Sequence, residues 1–275
     1  MVITELKRVG HLALRQVGVE IHLTRNLKAA IARERAEKEW ESWRFLRHFD
    51  LRTVFDVGAN EGQFAILIHA LCPDAHIYSF EPLPDVYSKL QRQFATDDRI
   101  TPVNCGLSDR KRIAIMNRSA YTPSSSILPM ASMHRNEFPQ SVEHTVVSVQ
   151  LERLDDWVDT AGVALEGELL VKLDVQGHED AVIRGGERAM RRARLAIIEV
   201  SFFELYEGQA LFDSIYRQMA DLGYLYRGSL NQHYSRKVDR ILFADAIFEN
   251  IRPEIGPMVS EPGDNQGPPA QERAG

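Results

Sequence analysis

A chain of 275 residues, 44% hydrophobic, can bury one substantial core and is short for several. Its net charge of −6 argues against a general nucleic-acid or anionic-membrane binder, because either needs a basic face, and favours small or neutral substrates. With only Cys72 and Cys105, no apolar run approaching about 18 residues and no signal-peptide core, the expectation is a cytoplasmic protein without a transmembrane segment, whose thiols are ordinary core residues.

Residues 1–50 carry helical periodicity without a nucleotide motif. They end in the run from Arg33 to Glu41, whose alternating charges read as a solvated helix face. Over the first thirty residues Lys7, Arg8, Arg15, Arg25 and Lys28 stand against Glu5 and Glu20, among apolar side chains. This stretch reads as a helical extension packed on the main domain, with peripheral membrane contact or a lid as the alternative.

The main domain is expected over 51–250. Thr53-Val54-Phe55-Asp56-Val57 suits a buried strand and runs into a loop with Gly58, Asn60, Glu61 and Gly62, after which Gln63–Ile68 reads as a buried helix. Strands are predicted at 53–57, 76–80, 100–104, 168–175 and 195–200, with helices near 62–71, 84–94, 178–191 and 211–222. That alternation implies a mostly parallel sheet with helices on both faces. Residues 111–150 break the rhythm with strand-like pieces at 112–117 and 145–150 around "YTPSSSILPMASMH", and read as an insertion over the carboxyl edge of the sheet. After Gly223, "YLYRG" and "RILFADAIFEN" look like a closing hairpin. The last 25 residues hold five Pro and four Gly and are expected to form a disordered tail over 251–275.

Chemistry concentrates at the ends of the strands. Gly58 and Gly62 allow the backbone to pass close to a ligand, and the helix that follows offers free amides and a positive dipole end. The spacing Gly-x-x-x-Gly departs from the Gly-x-Gly-x-x-Gly dinucleotide pattern. The strand His76–Phe80 ends in Glu81-Pro82, where a carboxylate can accept two hydrogen bonds from a ribose diol. Asp56 sits inside a strand, so its carboxylate needs a partner among loop amides or a ligand amine. Asn104, Gly106 and Leu107 follow the third strand, where an adenine would lie if Glu81 holds the ribose; simple turn chemistry is the alternative. In "LLVKLDVQGHEDAVIRGG" the residues Asp174, Gln176, His178 and Glu179 crowd the carboxyl end of the central strand, the edge at which open α/β sheets bind ligands. His178 or Asp174 is the candidate proton acceptor, with helix capping as the bland reading of the histidine. Lys172, a charge in mid-strand, is expected to pair with Glu199. No metal is expected, although Asp174 and Glu179 could supply oxygens to Mg²⁺.

Four pieces, "VFDVGANEGQFA", "YSFEPLPDVYSKL", "VKLDVQGHEDAVIRGG" and "AIIEVSF", occur in this order over roughly 50–205. Together they resemble the FkbM-type family of S-adenosylmethionine-dependent methyltransferases. The resemblance implies a Rossmann-like class I methyltransferase fold, a seven-stranded mostly parallel sheet with helices on both faces and a C-terminal antiparallel hairpin. It implies S-adenosyl-L-methionine as cofactor, held by Asp56, Gly58, Asn60 and Gly62 of the glycine loop and by Glu81 at the ribose; position at the strand ends adds Asn104, Gly106, Leu107 and Asp174 as expected contacts. It also implies O-methylation, often of a sugar or polyketide hydroxyl on a small-molecule or glycan acceptor; the apolar and basic N-terminal helix is what suggests a glycolipid. Many relatives read Asp-Val-Glu-Gly where this chain has Asp174-Val175-Gln176-Gly177, so an acid is missing at 176. Two rival classes stand beside this reading: an NAD-type oxidoreductase on a similar fold, and a non-catalytic methyltransferase-like binding protein. An oligomer is compatible with either.

Overall fold

The computed structural model describes residues 40–251. Most of the N-terminal extension, with its alternative membrane contact, and the tail beyond residue 251 therefore lie outside the described residues. Residues 40–43 are helical and continue into a 3-10 turn, Arg44–His48, that sets Trp43 and Leu46 in the core.

The main sheet has seven strands: β1 (Leu51–Val57), β2 (His76–Phe80), β3 (Ile100–Val103), β7 (Glu168–Leu173), β8 (Leu195–Ser201), β9 (Tyr224–Ser235) and β10 (Arg240–Asn250). They lie in the order β3-β2-β1-β7-β8-β10-β9. The first five are parallel, and β10 runs antiparallel to both β8 and β9, so the expected closing hairpin completes the sheet. From Thr53 to Val57 β1 is buried on both faces, as a central parallel strand requires. Phe55 and Val57 point into one core cluster with Phe80, Val171 and Leu173, while Val54 points into the other with Phe64, Ile77 and Ile197.

The helices are α1 (Gln63–Leu71), α2 (Pro84–Gln93), α3 (Ser132–Glu137), α4 (Leu154–Ala161), α5 (Glu179–Gly185), α6 (Glu187–Arg192) and α7 (Phe212–Asp221). The helices depart from the sequence reading at three places, the first being the short α3, which lies in the insertion where no helix is expected. That reading places no helix at α4, where Asp155 and Asp156 occupy the first turn and Gly162 caps the end in a left-handed conformation. This helix sets Trp157 edge-on against Phe55, Tyr78 and Phe80, with centroids 6.2, 5.3 and 4.7 Å away. The single helix expected over 178–191 is broken into α5 and α6 at Gly185-Gly186. The break lies where Gly185 backs onto the Ser108 carbonyl so closely that a Cβ would stand 1.9 Å from its oxygen.

A second sheet, β4 (Gly106–Leu107), β6 (His144–Glu152) and β5 (Arg112–Ser119) in the order β4-β6-β5, is built from the segment that interrupts the alternation. Its β5–β6 pair is antiparallel, and its Met116, Val149 and Leu151 pack on Leu83 and Val86. The strap between β5 and α3 crosses the carboxyl edge of the main sheet, where Thr122 Oγ1 donates to Asn60 Oδ1 (3.2 Å) and Ser126 Oγ to the Gln176 carbonyl (2.6 Å). Cys72 and Cys105 are free and buried, and burial pushes the Cys105 thiol up to about 12. Among the described residues no helix is long and apolar enough to cross a membrane.

Candidate active site

Strand register assembles the first part of the site. Asp56 pairs laterally with Ser79 on β2 and with Lys172 on β7, so three polar residues form a row across the centre of the sheet. Lys172 also lies over the Phe64 ring, 5.5 Å from its centroid. Its Nζ donates to Asp174 Oδ2 at 3.0 Å, and this corrects the expected partner: Glu199 instead accepts from Gln176 Nε2 at 2.6 Å. Burial opposes the lysine charge, but Asp174, Asp245 and Asp56 outweigh it and raise the Lys172 pKa. Asp56 is fully buried, which pushes its carboxyl up to about 6 against the pull of Lys172. Its Oδ2 has only a long bond from Ser79 Oγ (3.5 Å), and its Oδ1 has no hydrogen-bond partner. The loop amides expected to serve it point elsewhere.

They serve Glu81. Asn60 N donates to Glu81 Oε2 (3.0 Å) and Leu83 N to Oε1 (2.8 Å), so the carboxylate ties the glycine loop to the start of α2. Each oxygen retains a lone pair for a further donor. Burial pushes this carboxyl up to about 7. Asn104 Nδ2 donates to the carbonyls of Glu81 (2.9 Å) and Pro82 (3.3 Å), fixing the same corner from the third strand.

The two loop glycines do different work. Gly58 has φ +84°, and a Cβ there would stand 2.0 Å from the Asp174 carbonyl oxygen. Gly62 has φ +92° and faces Phe94 and Leu90 of the α2 region, where a Cβ would come within 2.6 and 2.9 Å. Gly62 therefore sets helix packing and lines none of the cavities described below.

Three cavities meet around Gly58, Asp174 and the strap. The largest of the three, about 510 Å³, is lined by Asp56, Gly58, Asn60, Lys172 and Asp174, together with Trp40 and Trp43. A narrow slot of about 60 Å³ runs past Gly58, Asn60 and Glu81 to Gly106, Leu107 and His178. A third, about 280 Å³, lies on the other side of Asp174 with Gln176, Glu199 and His134. Pro123 of the strap belongs to all three.

Thus Gly58, Asn60, Glu81, Gly106, Leu107 and His178 come together in one slot, and Asp56, Gly58, Asn60 and Asp174 in the adjoining cleft. His178 and Asp174 share no cavity. The histidine is buried on the slot side with Nε2 3.0 Å from Ser108 Oγ, and burial lowers its pKa. Glu179 turns beneath the loop, where Oε1 accepts from the amides of Val175 (3.0 Å) and Gly177 (3.2 Å), so it holds backbone and is not presented to a metal. Burial pushes it up to about 7. Among the described residues no group of three or more His, Cys, Asp or Glu is arranged to hold a metal ion.

The sequence reading misses the network that holds Asp174. Gln176, at φ +55°, donates from Nε2 to Asp174 Oδ1 (2.8 Å) as well as to Glu199, and its Oε1 accepts from Tyr206 Oη (2.8 Å). Tyr206 Oη also reaches the Ser124 carbonyl of the strap at 3.1 Å. One amide thus separates two carboxylates, and a glutamate in its place would make a third. Burial, with Asp174, Glu179 and Asp245 nearby, raises the Glu199 pKa well above its ordinary value.

Residues 56–226 match the family model described as the methyltransferase FkbM domain. The chain is 32% identical over 167 residues to 2-O-methyltransferase NoeI of Sinorhizobium fredii, covering 57% of this chain and 66% of that protein. It is 29% identical over 188 residues to 31-O-demethyl-FK506 methyltransferase FkbM of Streptomyces tacrolimicus, covering 57% and 69%. It therefore spans about two thirds of the length of these curated relatives. A crystal structure of methyltransferase FkbM from Methylobacillus flagellatus superposes with TM-score 0.47 at 13% identity, over 73% of this chain and 44% of that one.

Proposed function

From the chain's membership of the FkbM methyltransferase family, we propose that it is an S-adenosylmethionine-dependent O-methyltransferase acting on a hydroxyl of a sugar, glycolipid or polyketide-type product. The observation that carries this reading is that Gly58 and Asn60 belong to two cavities at once. A ligand whose ribose is held at Glu81 continues past the glycine loop toward Asp56 and Asp174.

The residues fit the cofactor on three counts. Glu81 keeps acceptor capacity for a ribose diol after taking two amides. The slot beyond it, with Gly106 and Leu107, suits an adenine. The buried, unpartnered Asp56 Oδ1 lines the larger cleft and would be satisfied by an ammonium group. When bound, S-adenosylmethionine supplies an electrophilic methyl on a sulfonium, which any well-aligned hydroxyl can attack.

The chain then has to align the acceptor, exclude water and take one proton. Asp174 stands at the junction of the cofactor cleft and the 280 Å³ cavity, which makes it the proton acceptor we favour over His178. Lys172 and Gln176 hold one oxygen each, at 3.0 and 2.8 Å, which fixes the carboxylate and leaves a lone pair on each oxygen for an incoming hydroxyl. The strap, fastened to Asn60 and to the Gln176 carbonyl, covers this junction.

The test is transfer of a labelled methyl group from S-adenosylmethionine to a panel of glycosides, glycolipids and polyketides, alongside binding of S-adenosylhomocysteine and NADH. Methylation of a hydroxyl with S-adenosylhomocysteine binding supports the reading. Binding of NADH and not of S-adenosylhomocysteine overturns it in favour of the oxidoreductase.

A further inference from the structure

We propose that the cavity beside Asp174 is an acceptor subsite for one uncharged sugar ring, and that it rejects carboxylated and phosphorylated sugars. This rests on the methyltransferase reading and narrows its substrate class.

Size comes first. About 280 Å³ is just below the range of small-molecule sites, about 300 to 1,000 Å³, so the cavity suits one ring and not a macrolide or an extended glycan. Its walls are unlike its floor. Phe138, His233 and Phe243 form a run of flat surfaces: the Phe138 and His233 centroids are 5.0 Å apart, and His233 and Phe243 stack at 4.9 Å with an interplanar angle of 1°. The floor is Asp174, Gln176 and Glu199, all acceptor-bearing and locked to one another by the Gln176 amide. A sugar has apolar C–H faces and a rim of hydroxyl donors, and this combination of flat rings with carboxylates answers both.

A buried polar atom gives a second, independent indication. His134 is 2% exposed, and its ring lines the cavity and packs on Phe138 and Tyr206 with centroids at 5.0 and 4.9 Å. Nε2 is engaged by Ser141 Oγ at 3.1 Å, whereas Nδ1 is buried without any partner. Burial pushes this imidazole down to about 4, so it is neutral and can hydrogen-bond a hydroxyl. An orphaned nitrogen of this kind is costly unless a ligand group meets it.

Charge supplies the exclusion. The lining contains two carboxylates and no lysine or arginine. Lys172 lines the neighbouring cleft and is held by Asp174, and His233 Nε2 lies 3.3 Å from Glu137 Oε1. An anionic substituent entering here would give up its water beside the Asp174 carboxylate, with no lysine or arginine in the lining to answer it.

Saturation-transfer NMR on the full-length protein saturated with S-adenosylhomocysteine provides the test, with methyl glucoside, methyl rhamnoside and methyl fucoside against methyl glucuronide and glucose 6-phosphate. The expected result is saturation of at least one uncharged glycoside and of neither anion. That signal should fall at least fivefold in Phe243→Ala, whose S-adenosylhomocysteine affinity stays within twofold of wild type. Saturation of an anion equal to that of the uncharged sugars, silence from all three uncharged glycosides, or an undiminished signal in Phe243→Ala overturns the subsite. Failure of the methyltransferase reading would appear differently, as wild-type protein that does not bind S-adenosylhomocysteine at all.

Discussion

Gly58 and Asp174 stand back to back at the carboxyl edge of the sheet: a Cβ on the glycine would lie 2.0 Å from the aspartate's carbonyl oxygen. The Asp174 amide meanwhile donates to the Val57 carbonyl at 3.0 Å, so the two loops are held against each other as one unit. Glycine at 58 is thus demanded by the protein's own backbone before any ligand arrives. Gly58→Ala should destabilise the unliganded protein by well over the roughly 1–2 kcal/mol that a left-handed conformation alone costs. Gly162→Ala is the control, since that glycine has φ +64° and nothing within 4 Å of its Cβ position. Urea denaturation of both variants checks this, and equal losses would contradict the close approach.

The slot carries a pH signature. Glu81, pushed by burial from an ordinary value of 4.5 up to about 7, must be ionised to accept from a ribose diol. Affinity for S-adenosylhomocysteine should therefore rise severalfold, up to about tenfold, between pH 6 and pH 8. Glu81→Gln should bind more weakly and flatten this step. Without ligand the sign reverses. A carboxyl whose folded pKa is raised lends stability that is full below its unfolded value and lost as pH rises through about 7, and Glu179 adds in the same direction. Tm of the unliganded protein should fall over that interval, and ligand should restore more of it at pH 8 than at pH 6.

Gln176→Glu would put a third carboxylate where one amide now donates to Asp174 and Glu199. It removes two buried donors, a loss of about 1–3 kcal/mol at least. Its own folded pKa would be raised by its neighbours, and a protonated glutamate returns one of the two donors, so the loss should be least near pH 5 and grow toward pH 8. Thermal melts across that range check it, and a uniform Tm change would contradict the network.

Asp174→Asn should cut turnover by roughly 10²–10⁴-fold with little change in cofactor affinity, because the proton moves only in the chemical step. His178→Ala should instead lose stability, through its Ser108 contact, and keep its turnover per folded molecule. Single-turnover rates read beside melting curves separate the two. The opposite pattern would return the proton acceptor to His178.

The sheet was legible because hydrophobic runs and glycine turns are local signals, and the place of Glu81 at the carboxyl edge was legible because it follows a strand directly. Side-chain choices among several equivalent acids were not. Lys172 lies within reach of more than one carboxylate, and only the fold selects Asp174 over Glu199. His178 and Asp174 are close in sequence, yet the loop between them turns through left-handed residues at Gln176 and Gly177, which sends them to different cavities. His134 carried no signal: it lies in a polar stretch, and its role depends on Phe138, Ser141 and Tyr206 packing around it. Helix α4 did carry signals, with Leu154 and Val158 one turn apart and Gly162 closing it.

If the cleft from Glu81 to Asp56 holds S-adenosylmethionine, as we propose, calorimetry with S-adenosylhomocysteine on wild type and Glu81→Ala reads that contact. Charge-assisted hydrogen bonds are worth about 1.5–3 kcal/mol each, so the variant should bind at least tenfold more weakly. Because Glu81 also receives the Asn60 and Leu83 amides, some loss of Tm accompanies this. Wild-type binding with an unchanged dissociation constant in folded Glu81→Ala, or no binding by wild type, would contradict the account.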